Sequence, residues 1–332
     1  MNVLELYSGI GGMHLALKES EVNGKVVAAI EINNAANEIY EYNFPNTKLL
    51  NLNIEGLTPN FIHKLGVDTI LMSPPCQPFT RNGLQNDTRD PRTSSFLHLM
   101  KILPELKQIT RLLVENVKGF EQSHARDVLI KTLQECGFSY QEFIISPHQF
   151  GIPNSRHRYY CLAKKHPETF SFEIGQIMDN LPQAQQNKEC FPISNILEYK
   201  VDDEYLLSEN LLLKHLGVLD ICYLNSRRSC CFTKAYGRYV HGTGSVFTNK
   251  TVHEVKEISE KIDTLRIDDC DRFNLLKSLN LRFFTPKEIC RLMCFPESYN
   301  FPNNITNRKK YMLLGNSINV KVVSELIKLL YN

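Results

Sequence analysis

The chain has 332 residues, 42% of them hydrophobic and 22% charged, with a formal net charge of +2. That size and apolar content suffice for one large domain or two unequal ones. The near-neutral balance excludes a chain that is basic throughout, so any nucleic-acid contact must come from a local patch.

Val3 to Leu6 reads as a first strand, followed by the turn Tyr7-Ser8-Gly9-Ile10-Gly11-Gly12 and a helical pattern from Met13. No basic segment or long apolar stretch precedes them, so a chain that is neither secreted nor membrane-spanning is expected. Val26 to Ile30 is a second strand, closed by Glu31; Asn34 to Tyr42 is helix-like, and Lys48-Leu49-Leu50 is a short third strand. A glycine-rich strand-to-helix turn with an acid closing the next strand suits an adenosine cofactor. The loop backbone approaches the ligand and the carboxylate holds the ribose hydroxyls. The third glycine of the dinucleotide fingerprint is missing, because position 14 is His14. A plain tight turn therefore stays open as the alternative.

Thr69 to Met72 is the fourth strand, and it breaks into Ser73-Pro74-Pro75-Cys76-Gln77-Pro78-Phe79. Prolines on both sides restrict the backbone and lift one thiol out at the strand's carboxyl end, where open α/β sheets place their chemistry. Alone, Cys76 reads equally well as a packing cysteine in a turn. Arg111 to Val114 is the fifth strand, leaving Glu115 on the same sheet edge, with Asn116 to fix the turn. Tyr140 to Ser146 and Arg158 to Ala163 are the last two strands, with helical stretches near Ser95–Leu106 and Arg126–Cys136 between them. Arg156 and Arg158 are alternate residues and could share one cleft, or lie as two surface arginines on an edge. Strands alternating with helices predict a mostly parallel sheet covered on both faces.

From about Lys188 to Arg282 the periodicity fades. A smaller domain over 188–282 is expected, inserted into a large one made of 1–187 and 283–332. Thr285-Pro286-Lys287-Glu288 is a capping box with proline at the first helical position, predicting a helix through Met293. Ser317 to Tyr331 carries apolar residues at helical spacing and should pack on the sheet. The ten cysteines include no C-x-x-C pair, so no metal is expected and the thiols should be reduced, as in a cytoplasmic or nuclear protein. Between Asn225 and Lys250 stand Arg227, Arg228, Lys234, Arg238 and Lys250, interleaved with Phe232, Tyr236 and Tyr239 and free of acids. That mixture suits phosphate contact plus base stacking, with an ordinary solvated loop as the alternative.

Taken together, a thiol, a strand-end acid, paired arginines and a cofactor loop suit one reaction. A thiolate adds to an electron-poor ring while a carboxyl protonates it, an arginine holds an exocyclic oxygen, and a donor methylates the adjacent carbon. That is methylation of cytosine at ring carbon 5.

The order Tyr7–Gly12, Pro74-Pro75-Cys76-Gln77, Glu115-Asn116-Val117, Arg156-His157-Arg158 and Gly315-Asn316-Ser317 resembles the cytosine-5 methyltransferase family along almost the whole chain. Cys231-Phe232-Thr233-Lys234-Ala235-Tyr236-Gly237, with Gly242-Thr243-Gly244-Ser245 after it, is similar to the signature of the type-2 DNA methyltransferase homologues. Those enzymes methylate a cytosine in the anticodon loop of aspartate tRNA. The resemblance implies a Rossmann-like class I S-adenosylmethionine-dependent methyltransferase sheet with a smaller inserted target-recognition domain. It implies Cys76 as nucleophile, Glu115 as ring acid, and Arg156 and Arg158 as the paired arginines, one on the base oxygen and one structural. Tyr7, Ser8, Gly9, Ile10, Gly11, Gly12, Glu31, Ile32, Asn53, Ile54, Ser73, Pro74, Asn316 and Ser317 resemble the S-adenosylmethionine pocket. Arg81, Arg227, Arg228, Cys231, Phe232, Thr233, Lys234, Tyr236 and Arg238 are the implied RNA contacts. Two positions depart from many relatives: Tyr7 stands for phenylalanine and Asn53 for aspartate. A monomer acting on tRNA-Asp is expected, with weak DNA binding. A DNA cytosine methyltransferase, a nucleic-acid-binding protein without catalysis and, distantly, a nicotinamide oxidoreductase are the alternatives.

Overall fold

The computed structural model describes residues 1–75, 93–182, 188–266 and 269–332. A seven-stranded sheet carries β1 (Asn2–Leu6), β2 (Lys25–Ile30), β3 (Lys48–Leu50), β4 (Thr69–Met72), β5 (Arg111–Val117), β6 (Phe138–Ile145) and β7 (Arg158–Lys165), in the order β3-β2-β1-β4-β5-β7-β6. Strands β1 to β5 run parallel, whereas β7 is antiparallel to both β5 and β6. The strand order reverses between β1 and β4, the position at which doubly wound sheets open a ligand crevice beyond their carboxyl ends.

Each strand alternates between two cores. Val3, Leu71 and Leu113 face one, and Leu4, Ile70, Met72, Leu112 and Val114 face the other. The first core holds α1 (Gly12–Glu19), α2 (Asn34–Asn43), α9 (Pro286–Leu292), α10 (Asn307–Asn316) and α11 (Val320–Tyr331); the second holds α3 (Pro59–Lys64), α4 (Ser94–Ile102) and α5 (His124–Glu135). The capping box at Thr285 forms as expected: its hydroxyl accepts from the Glu288 amide while the Glu288 carboxylate accepts from the Thr285 amide. On α11, Val322, Val323, Leu326, Ile327 and Leu330 are all buried.

The segment without strong periodicity is more ordered than its sequence suggests. It forms α6 (Glu209–His215), α7 (Val252–Thr264) and α8 (Cys270–Ser278), beside a three-stranded sheet of β8 (Ile221–Cys222), β9 (Val246–Phe247) and β10 (Arg282–Phe283). Leu212, Val255, Ile262, Leu276, Leu279 and Leu281 give these elements their own core. A start signal for α7 was present in Thr251-Val252-His253-Glu254, which closes a second capping box. Among the described residues no helix is long and apolar enough to cross a membrane.

Candidate active site

The carboxyl ends of β1, β2, β4 and β5 open into one cavity of about 590 Å³. Its wall carries Tyr7, Ser8, Gly9, Ile10, Gly12, Glu31, Ile32, Asn53, Ile54, Ser73, Pro74, Glu115, Arg156, Arg158, Asn316 and Ser317. Sixteen positions selected from sequence motifs thus converge on one space. Gly11 is not among its lining residues. It has φ 84°, and a Cβ there would fall 2.2 Å from the Phe44 ring, so its part is to let α1 pack against α2. Cys76 and Arg81 lie outside the described residues.

The cofactor half of the cavity is built around Glu31. Its carboxylate accepts from the amides of Gly9 at 3.0 Å, Ile32 at 2.9 Å and Asn33 at 2.8 Å, which clamps the glycine turn to the end of β2. Tyr7 takes a left-handed φ of 54°, a strained choice for a tyrosine, and its hydroxyl donates to Ser95 Oγ at 3.1 Å. The hydroxyl that distinguishes Tyr7 from phenylalanine thereby ties the turn to α4. The Asn53 side-chain oxygen accepts from the Glu55 amide at 3.1 Å, so it shapes its own turn. Ser8 Oγ is buried in the cavity wall and has no hydrogen-bond partner among the described residues. An orphaned hydroxyl of that kind is a ready contact for a polar ligand, and the donor set fits an amino-acid-bearing adenosine cofactor.

Below the turn, Glu5 is fully buried. Oε1 accepts from the His14 amide at 3.2 Å, at the first turn of α1, and Oε2 lies 2.7 Å from the Tyr40 hydroxyl, itself 2.9 Å from His14 Nδ1. Burial outweighs the hydrogen bonds from Tyr40 and His14 and pushes the Glu5 carboxyl up to about 8. Because the folded value lies above the unfolded one, the folded state holds the extra proton. Stability is then fully present below the unfolded value, near 4.5, and is lost as pH rises towards 8. Glu5→Gln removes that proton while keeping a carbonyl for the His14 amide. Thermal melts should therefore find Glu5→Gln more stable than the parent at pH 8.5, with the gap, of order a few kcal/mol, closing by pH 5. Equal pH dependence in the two proteins would exclude a buried neutral Glu5.

The other half of the cavity holds charged groups. Strand β5 outruns β4, since Val114 pairs with Met72 and Glu115 extends beyond it. Asn116 Nδ2 donates to the Pro74 carbonyl at 3.4 Å, which fixes the β4 exit beside Glu115. Glu115 Oε1 lies 3.4 Å from Arg158 Nε. Burial raises the Glu115 carboxyl above its ordinary range, against the opposing pull of Arg158, Arg156 and Ser73. The two arginines do different work. Arg156 donates through Nη1 to the Phe232 carbonyl at 3.1 Å and through Nη2 to the carbonyls of Gly315, at 3.1 Å, and Ser317. Its guanidinium joins three chain segments, whereas Arg158 faces Glu115 and also donates to the His157 carbonyl at 2.8 Å.

The family of C-5 cytosine-specific DNA methylases matches residues 1–332. The chain belongs to that family. It is 51% identical over 330 residues to the Spodoptera frugiperda tRNA (cytosine(38)-C(5))-methyltransferase, covering 99% of this chain and 98% of that protein. The human protein of the same name is 43% identical, covering 100% and 99%. The crystal structure of a Spodoptera frugiperda DNMT2 mutant superposes with a TM-score of 0.92 at 51% identity, covering 100% of this chain and 99% of that one.

For this methyltransferase the basic segment needs correction. Phe232 and Tyr236 are buried, at 3% and 2% exposure. Phe232 packs edge-on to Phe284, and Tyr236 to Tyr311 and Phe283. Neither ring can stack on a base. Arg227 pairs with Glu189 at 3.2 Å and Arg228 with Asp220, acids that lie outside the acid-free stretch in sequence and reach it through the fold. Thr233 and Lys234 press their backbone on Gly315, where a Cβ would fall 2.2 Å from Lys234 N, so only glycine fits. Cys231 Sγ lies 3.4 Å from Arg156 Nη1 and 3.9 Å from Arg158 Nη2. Burial raises that thiol, yet the two arginines outweigh it and the net direction is down. Arg238 stacks over the exposed Tyr239 ring at 5.0 Å. Leu52, Glu55, Ser95 and Val117 also line the cavity and were not read from the sequence. Of these, only Val117 stood in a motif.

Proposed function

We propose that this methyltransferase uses S-adenosylmethionine to methylate ring carbon 5 of a cytosine in the anticodon loop of tRNA-Asp. The observation that carries the reading is the single cavity in which the Glu31-clamped glycine turn faces the Glu115–Arg158 pair. Two ligand types, a cofactor and a base, then have adjoining walls. The names carried by the insect and human relatives favour RNA over DNA.

The chemistry follows from the residues. The Cys76 thiolate forms a bond to ring carbon 6 while Glu115 delivers its proton to the ring nitrogen, and carbon 5 becomes the nucleophile. Arg158 holds the exocyclic oxygen and Arg156 holds the wall together. Tyr7, Glu31, Asn53, Ser8 and Ser317 hold the cofactor, which supplies the electrophilic methyl group. A solvent base takes the proton from carbon 5, the thiolate leaves carbon 6, and the ring nitrogen returns its proton to Glu115, which restores the ring and the acid. A cytosine in an unstacked loop reaches such a pocket more cheaply than one in a duplex, where flipping costs a few kcal/mol.

A tritium-methyl assay on tRNA-Asp and on duplex DNA, at one stated salt concentration, tests the substrate. Transfer to the RNA is expected to exceed transfer to DNA by orders of magnitude. Equal or greater transfer to DNA would make this a DNA cytosine methyltransferase.

A further inference from the structure

Next in sequence to Val117 and Arg158, which line the cavity, stand basic side chains that the reaction does not use. His157, directly before Arg158, is exposed, and the exposed His148 reaches it from the 147–150 turn between β6 and β7. Their rings stand 5.5 Å apart at 57°. Exposed Lys118 follows Val117, which lines the cavity. The Ser146 hydroxyl fixes His148 through Nδ1 at 2.9 Å. Among the described residues, neither histidine nor Lys118 has a carboxylate partner. That separates them from Arg227 and Arg228, whose charges are already met by Glu189 and Asp220.

We infer that Lys118, His148 and His157 form a phosphate-gripping rim that holds the RNA strand beside the flipped cytosine; this rests on RNA being the substrate proposed above. Clustered cations without counter-ions repel one another until an anion arrives. His157 shows that repulsion: partial burial, then His148, Lys118 and Arg158, lower its affinity for a proton. A phosphodiester between the two rings reverses the sign of the local field, so the rim takes up protons as it takes up RNA. An imidazole adds positive charge only when protonated. The grip should therefore strengthen as pH falls.

Fluorescence anisotropy with a labelled tRNA-Asp transcript, at fixed salt between pH 6 and pH 8, tests this. The parent protein should bind about tenfold more tightly at pH 6, with a log Kd against log salt slope steeper by about one. The double substitution His148→Asn and His157→Asn should keep the pH 8 affinity and lose most of the gain at pH 6. Affinity for S-adenosylmethionine, followed by calorimetry on both proteins, should be the same. Tight but pH-independent binding by the parent overturns the rim and leaves the RNA reading intact, as does an undiminished pH response in the double variant. Failure of the parent to bind tRNA at any pH overturns both.

Discussion

Alanine in place of Cys76 is expected to abolish methyl transfer while the fold and the affinity for S-adenosylmethionine stay at the parent level. Ser73, Pro74 and Pro75, the last three residues before the thiol, all line the cavity that contains Glu115 and Arg158. The chain thus reaches the base half of the site at the residue covalently joined to Cys76. A thiolate is the strongest nucleophile among ordinary side chains near neutral pH, and alanine offers no atom that can add to a ring carbon. Two measurements separate loss of chemistry from loss of structure. A tritium-methyl assay reads turnover, and a denaturing gel reads the adduct trapped on RNA carrying 5-fluorocytosine. The parent should give both signals and Cys76→Ala neither, with an unchanged melting temperature. Parent-like turnover in the variant would remove Cys76 from the reaction.

Much of this site was legible because it depends on local backbone chemistry. The Tyr7–Gly12 turn, the apolar run into Ser73-Pro74-Pro75 and the run into Glu115 each announce a strand end. A parallel sheet brings strand ends to one edge whatever the helices do. What the sequence concealed depends on contacts between distant segments. Phe232 and Tyr236 alternate with basic residues and look like stacking platforms, but Phe284, Phe283 and Tyr311 enclose them. Arg227 and Arg228 look unpaired because Glu189 and Asp220 lie outside the stretch that was read. The reversal of β7 was hidden for a related reason: a strand pattern records which residues are buried and not the direction in which the strand runs. Arg156 and Arg158 were legible as a pair, whereas their division of labour was not. It is set by the carbonyls of Phe232, Gly315 and Ser317, residues 76 to 161 positions away.

Glutamine in place of Glu115 is expected to lower turnover by about 10²–10⁴-fold, the range over which positioned acid–base groups contribute. Glutamine keeps the size and the polar edge facing Arg158 but has no proton to give to the ring. Binding of S-adenosylmethionine should be nearly unchanged, because the Glu31-clamped turn is built from other residues. The pH profile sharpens the test. Burial raises the folded-state value of Glu115 above its unfolded one, so the protonated acid persists to higher pH than an exposed glutamate allows. Parent turnover should fall as pH passes through the raised Glu115 value, and the variant should lose that fall. Stability falls over the same range: ionising a buried carboxyl with a raised folded value costs stability as pH rises through that value. Glu115→Gln, which cannot ionise, should melt no earlier than the parent in mildly alkaline buffer. A slow, fully folded variant with no alkaline decline assigns the proton to Glu115. An unchanged rate, or an alkaline limb that survives in the variant, would give the acid's role to another group.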